Sequence, residues 1–84
     1  MKQFIEVEGE GLDALGGEYV LLMCSNYFYH GKLVGVNQSF VKLEDAAIVY
    51  ETGEWSEPGF KDKQSLPGPV YVTTQSIEAF GAFS

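Results

Sequence analysis

The residues of this chain that could take part in chemistry are few and widely spaced. There is one cysteine, Cys24, and one histidine, His30, whereas a structural zinc site uses about four Cys or His ligands. Cys24 lies in an apolar run, where a small buried side chain is the expected role. No serine or aspartate is spaced to form a triad with His30, for which we expect a surface or interface position. Glu44 and Asp45 are adjacent on a predicted strand and point to opposite faces. We therefore predict no catalytic residue, no metal site, no cofactor and no enzymatic activity.

A long polar connection contains the residues that could contact a partner. Residues 52–69 hold all three prolines of the chain, and a loop of this length in a small domain is usually functional or mobile. Trp55 and Phe60 lie in it beside Lys61 and Lys63, outside any core periodicity. Two interpretations are open. In the first, the aromatic side chains attach the loop to the rest of the domain. In the second, the loop contacts a partner molecule, for which a protein is expected.

The charge balance limits the kinds of partner. The chain has twelve acidic residues against five lysines, no arginine, and a formal net charge of −7. Proteins that bind nucleic acid generally do so with Lys and Arg that displace counterions from phosphates. Any nucleic-acid contact here must therefore be local and weak, or rely on polar and stacking groups.

The elements that would position these residues are mostly β-strands. Gly31 and Gly35 fall inside the second strand, where glycine marks a kink or a close backbone approach. A change of phase near Glu44 and Asp45 indicates a bulge in the third strand, and a turn of helix is expected at residues 12–15. We predict five strands, at residues 19–25, 27–36, 40–51, 70–74 and 77–83.

Length and composition indicate one domain over residues 1–84. A chain of 84 residues has room for one core, and so small a domain is only marginally stable alone. Aromatic residues make up 14% of the chain, more than such a core can hide, so some should face a partner subunit or a ligand. No stretch approaches the length of a membrane span, and we expect a soluble protein that stays in the cytoplasm.

Together these signals resemble the Sm/LSm (Sm-like) family over residues 12–81. The first Sm motif is met by Gly31 and Leu33, while Asn37 occupies its acidic loop position. The Met-Asn pair of the motif falls near residues 39–41, after a one-residue deletion, and neither residue is clearly present. The second motif, an aliphatic-Arg-Gly triplet followed by Ile, reads Val72-Thr73-Thr74 and then Ile77.

The resemblance implies a small, strongly bent, five-stranded antiparallel barrel with a short N-terminal helix. It also implies subunits that assemble into a homo-oligomeric ring, bind single-stranded RNA or DNA, and act in nucleic-acid processing. Phe40 would stack on a base, and the neighbouring amides and hydroxyls would hydrogen-bond to it. The nucleic-acid contacts implied are Asn37, Gln38, Ser39, Phe40, Thr73, Thr74 and Gln75.

Ring assembly has a physical reason beside the family resemblance. The last two predicted strands carry no Lys and no internal Pro, so little prevents their edges from pairing with another chain. The predicted interface residues are Val70, Tyr71, Val72, Ile77, Ala79 and Phe80. Two alternatives stay open: a monomeric SH3-like barrel whose edges are covered, and an assembly or adaptor module that binds protein rather than nucleic acid.

Overall fold

The structure is a computed structural model, and it describes residues 8–84. Within this range it contains six strands and two short 3-10 turns. The strands are β1 (Tyr19–Cys24), β2 (Phe28–Val36), β3 (Phe40–Glu51), β4 (Asp62–Ser65), β5 (Val70–Thr73) and β6 (Ile77–Ala82), and the 3-10 turns span Leu12–Leu15 and Thr74–Ser76. No helix among the described residues is both long and apolar enough to cross a membrane.

All six strands pair antiparallel in one sheet. Five of them follow the order β4-β3-β2-β1-β6, and β5 pairs with β3 beside this path. The twelve-residue strand β3 is long enough to pair with two strands along one side. Its first part, residues 40–43, pairs with β5, and its last part, residues 47–51, pairs with β4. Among the described residues β5 and β6 do not pair with each other, so the sheet is strongly bent but not closed.

The bend is built around Gly31. His30 pairs with Ala47 and Lys32 pairs with Glu44, so two residues of β3 oppose Gly31 alone. One of them, Asp45, has a φ of 51°, as bulge residues often do. A Cβ at position 31 would lie 3.0 Å from the Ala46 Cα. The predicted bulge and the predicted close approach at Gly31 are both confirmed.

Gly35, the other glycine within β2, has different surroundings. Leu33 pairs with Leu43 and Gly35 with Lys42, so Val34 is an extra residue on β2. A Cβ at position 35 would lie 3.7 Å from the Lys42 Cβ, which is an ordinary contact. The sequence therefore predicted an irregularity here correctly, but the backbone does not require glycine for space.

The core lies inside the bend of the sheet. Alternate residues of β1, β3 and β5 point inward, as a pleated strand requires, and Leu12 and Leu15 of the first 3-10 turn pack against them. Its members are Val20, Leu22, Cys24, Leu33, Val41, Leu43, Ala46 and Val72.

Three features of the predicted fold are corrected. The sheet has six strands rather than five, because β4 forms within the stretch predicted as a loop, residues 52–69. The barrel is not closed within residues 8–84. The expected N-terminal helix is a single 3-10 turn, Leu12–Leu15.

Candidate functional site

Two polar turns meet at one end of the sheet. The turn between β2 and β3 closes with a hydrogen bond from the Asn37 N–H to the Phe40 carbonyl. The turn after β5 is joined to it, because the Thr74 N–H donates to the Ser39 carbonyl at 3.0 Å and the Thr74 hydroxyl donates to the Gln38 carbonyl at 2.7 Å. We call residues 37–40 and 73–76 the double-turn patch. It unites the two segments that the sequence analysis selected separately.

Several polar atoms of this patch serve to hold the turns in shape. The Asn37 Oδ1 accepts hydrogen bonds from the Ser39 N–H at 2.7 Å and the Phe40 N–H at 2.8 Å, a local role typical of Asn in turns. The Ser76 hydroxyl donates to the Thr73 carbonyl at 2.8 Å. Asn37 and Thr73 therefore have a structural role in the turns, and their contact with a ligand stays a prediction. Gln38 and Gln75 are exposed.

An aromatic pair lies beside the patch. Phe40 and Lys42 point outward from β3, since Val41 and Leu43 between and after them are buried. The Phe40 ring meets the ring of Tyr71 edge-on at 5.2 Å, and the Lys42 Nζ lies 5.7 Å from the centre of the Tyr71 ring. Tyr71 was predicted as a subunit contact, and its place beside Phe40 was missed. The missing signal was the β3–β5 register, which pairs Lys42 with Tyr71.

The six predicted interface residues divide into two groups. Val72 is only 4% exposed and belongs to the core of its own chain, and Val70 and Ile77 pack against that core. Tyr71 and Phe80 are 54% and 42% exposed, and Ala79 is exposed as well. The side chain of Val72 is therefore not a surface feature.

The backbone edges of β5 and β6 face outward. Hydrogen bonds alternate along antiparallel pairs, and the Thr74 N–H bonds to Ser39, so the backbone of Tyr71 points away from β3. The Phe83 N–H donates to the Tyr19 carbonyl at 2.9 Å, which directs the backbone of Phe80 away from β1. Within residues 8–84 each of these strands pairs on one side only.

An aromatic cluster covers the face of the sheet that points away from the core. Phe60 stacks on Phe83 with ring centres 5.2 Å apart, and His30 meets Phe60 edge-on at 5.1 Å. The His30 Nε2 lies 2.6 Å from the Phe83 carbonyl oxygen, and Trp55 meets Phe83 edge-on at 5.8 Å. Beneath this cluster Leu21 is only 1% exposed. His30 is thus half-buried among rings of its own chain, a position that the sequence analysis did not anticipate.

The four predicted partner-loop residues have different surroundings. Phe60 is half-buried in the aromatic cluster, whereas Trp55 is 57% exposed. The Lys61 Nζ lies 3.9 Å from a Glu51 carboxylate oxygen, and the Lys63 Nζ lies 5.9 Å from the centre of the Phe60 ring. Phe60 therefore attaches this segment to the sheet, and Trp55 projects from it.

Local surroundings shift the pKa of titratable groups within residues 8–84. Burial raises the pKa of the Cys24 thiol, which keeps it in the neutral, less nucleophilic form. The Tyr19 hydroxyl donates to the Asp45 carboxylate at 2.6 Å, and this bond raises the pKa of Tyr19. The described residues contain no group of three or more His, Cys, Asp or Glu side chains placed to hold a metal ion.

Comparison with known proteins shows the fold. The structure is similar to that of a Pyrococcus abyssii Sm protein solved in complex with a uridine heptamer, with a TM-score of 0.64 and 18% sequence identity. The match covers 86% of this chain and 92% of that one. No family model and no curated protein matches the sequence. The resemblance drawn from the sequence is confirmed at the level of the fold: this chain has an Sm-like fold.

Proposed function

We propose that this chain assembles into an Sm-like homo-oligomeric ring that binds single-stranded nucleic acid, uridine-rich RNA above all, at the double-turn patch. One observation carries the proposal: on an Sm-like fold, two polar turns distant in sequence are hydrogen-bonded into a single exposed patch that includes Phe40. The preference for uridine is taken from the Pyrococcus abyssii protein, which was solved with a uridine heptamer.

Ring formation is supported by the two outward-facing strand edges. The edge of β5 in one copy and the edge of β6 in the next are different surfaces, so their pairing is heterologous and closes into a ring when the rotation permits. The exposed side chains of Tyr71 and Phe80 flank these edges and would lose water on pairing. Val72 contributes indirectly, because it anchors β5 to the core.

Base binding at the patch is supported by exposed groups that take no part in the hydrogen bonds within the turns. The Phe40 ring is 36% exposed, and stacking of a base on one aromatic side chain is worth about 1–3 kcal/mol. Gln38 and Gln75 each carry an amide that can donate to and accept from a base edge. Lys42 supplies a positive charge beside this site.

The overall charge determines how tightly we expect the chain to bind nucleic acid. With a net charge of −7 and no arginine, few phosphates can be neutralised, so binding should be weak and its salt dependence shallow. The one cation known to lie against this aromatic pair among the described residues is Lys42, at 5.7 Å from the centre of the Tyr71 ring. Stacking and amide hydrogen bonds must therefore provide most of the affinity.

Fluorescence anisotropy with labelled oligo-U, oligo-A and oligo-dT at low salt tests nucleic-acid binding. We expect binding that favours oligo-U, and we expect Phe40→Ala to weaken it about five-fold or more, the equivalent of roughly 1 kcal/mol. Tyr27→Ala is the matched control, because Tyr27 is an exposed aromatic residue that packs on Tyr50 instead. Absence of binding at tens of micromolar protein would reject this function and leave the protein-binding adaptor.

Light scattering tests the ring separately. We expect a mass of several subunits, and a strict monomer of 9.3 kDa would remove the ring. Phe80→Pro should shift the mass toward monomer, because proline removes an outward-facing N–H without breaking a bond to β1. Phe80→Ala keeps that N–H and should retain more of the assembly. Comparing the two variants therefore distinguishes the contribution of the backbone edge from that of the Phe80 side chain.

A further inference from the structure

The aromatic cluster borders an apolar hollow that lies apart from the double-turn patch. The hollow has a volume of about 260 Å³. Trp55 and Phe83 are the bulkiest side chains that line it. Trp55 is 57% exposed, the highest value among the large apolar side chains described. The lining residues are Leu21, Met23, Trp55, Gly81, Ala82 and Phe83.

A second, acidic hollow of about 640 Å³ lies in the segment that carries Trp55. Three glutamates line it, Glu51, Glu54 and Glu57, against one cation, Lys61. The Lys61 Nζ lies 3.9 Å from Glu51, so Glu54 and Glu57 supply the excess negative charge. The Glu57 N–H donates to the Glu54 carbonyl at 3.1 Å, which places both glutamates on one tight turn.

The two hollows are neighbours because the aromatic cluster forms a wall of each. Phe60 lines the acidic hollow and stacks on Phe83, which lines the apolar one. Trp55 follows Glu54 directly in the chain. A ligand that fits both hollows must therefore carry an apolar group next to a positive charge.

We propose that this surface docks a short extended segment of a partner protein, with an aliphatic side chain against Trp55 and Phe83 and a lysine or arginine against Glu54 and Glu57. Exposed tryptophans are frequent energetic centres of protein interfaces, and complementary charge steers the partner and suppresses wrong ones. The carboxylates repel phosphates, which disfavours nucleic acid here. Glu54 and Glu57 likewise disfavour an acidic segment, of another copy or of another protein, at this surface. This docking does not depend on nucleic-acid binding at the double-turn patch.

The emission of Trp55 offers a direct test, because it is the only tryptophan of the chain. The probe is an acetylated eight-residue peptide with one leucine flanked by two lysines in a Gly/Ser background. Two matched peptides replace the lysines with glutamates or the leucine with serine. We expect a saturable emission change with the Leu/Lys peptide, at an affinity at least about ten-fold above either control, since both the apolar contact and the charge contribute.

Charge and aromatic variants locate the binding. Glu54→Gln/Glu57→Gln keeps Trp55 as reporter and should weaken binding about five-fold or more at low salt. Asp13→Asn/Glu18→Gln, which makes the same change of charge outside both hollows, should leave the affinity within about two-fold. For Trp55→Ala the labelled peptide is followed by anisotropy instead, with Tyr50→Ala as the exposed aromatic control.

Each contrary result rejects the proposal. No saturable change up to about 5 mM peptide would place any affinity below a useful range and overturn it. Equal binding of the Leu/Glu peptide, or unchanged affinity after Glu54→Gln/Glu57→Gln, would overturn the charge argument. A smaller assembly after Trp55→Ala would identify a second copy as the occupant, and displacement of the peptide by oligo-U would identify nucleic acid. If the double-turn patch does not bind oligo-U, we still expect the same peptide binding, because the two surfaces are independent.

Discussion

Replacing Gly31 with alanine should destabilise the protein far more than the same change at Gly35. A Cβ at position 31 would lie 3.0 Å from the Ala46 Cα and 3.1 Å from the Glu44 carbonyl oxygen, whereas carbon atoms prefer about 3.5–4.0 Å. Both neighbours are backbone atoms of the bulge, so β3 itself must move. At position 35 the added Cβ would meet only the Lys42 Cβ, at 3.7 Å.

These distances set the expected magnitude. Overpacking of this kind costs about 1–3 kcal/mol, and the reduced freedom of the unfolded chain returns about 0.4–1 kcal/mol when glycine becomes alanine. Gly31→Ala should therefore lower the free energy of unfolding by about 1–2 kcal/mol. Gly35→Ala receives the entropic gain without the clash, so it should be neutral or slightly stabilising.

Urea denaturation followed by far-UV circular dichroism measures the difference. For a domain of this size the slope is about 1 kcal/mol per molar urea, so the midpoint of Gly31→Ala should fall by about 1–2 M. The comparison must be made at equal protein concentration, because the proposed assembly would stabilise the folded state by mass action. A Gly31→Ala midpoint equal to or above that of Gly35→Ala would refute the assignment of the bend to this contact.

Three further predictions follow from particular contacts. Phe60→Ala should lower the free energy of unfolding by about 2–3 kcal/mol, somewhat below a fully buried aromatic site, while Trp55→Ala should cost less than about 1 kcal/mol; equal losses in urea denaturation would show that Trp55 also fastens the loop. Asn37→Ala removes an acceptor of two N–H groups and should cost about 1 kcal/mol, whereas Asn37→Asp keeps the acceptor and should cost less. Because burial raises the pKa of the Cys24 thiol, its contribution to stability is complete below the pKa of the unfolded thiol, about 8.5, and is lost as the pH rises through the higher folded value. Between pH 8 and 10 the urea midpoint should thus fall more steeply for the wild type than for Cys24→Ala, and parallel curves would contradict this.

The sequence by itself determined the local features of this protein. The positions of β1, β2, β3, β5 and β6 follow from short apolar runs, period-two alternation and turn residues, which depend on neighbours along the chain. Gly31 and the bulge near Asp45 could be predicted because glycine and a change of phase leave a mark in the sequence. The two turns of the double-turn patch could be selected for the same reason, as short polar interruptions between apolar strands.

The tertiary structure alone decided which of these features share a surface. Strand β4 has a polar sequence, Asp62–Ser65, whose four residues are all exposed, so it forms because β3 offers an unpaired edge rather than because of its own periodicity. The register of β3 against β5 places Tyr71 beside Lys42, and the chain path after β6 brings Phe83 onto His30 and Phe60. Such contacts join residues far apart in sequence. They depend on how the sheet bends, which no local pattern records.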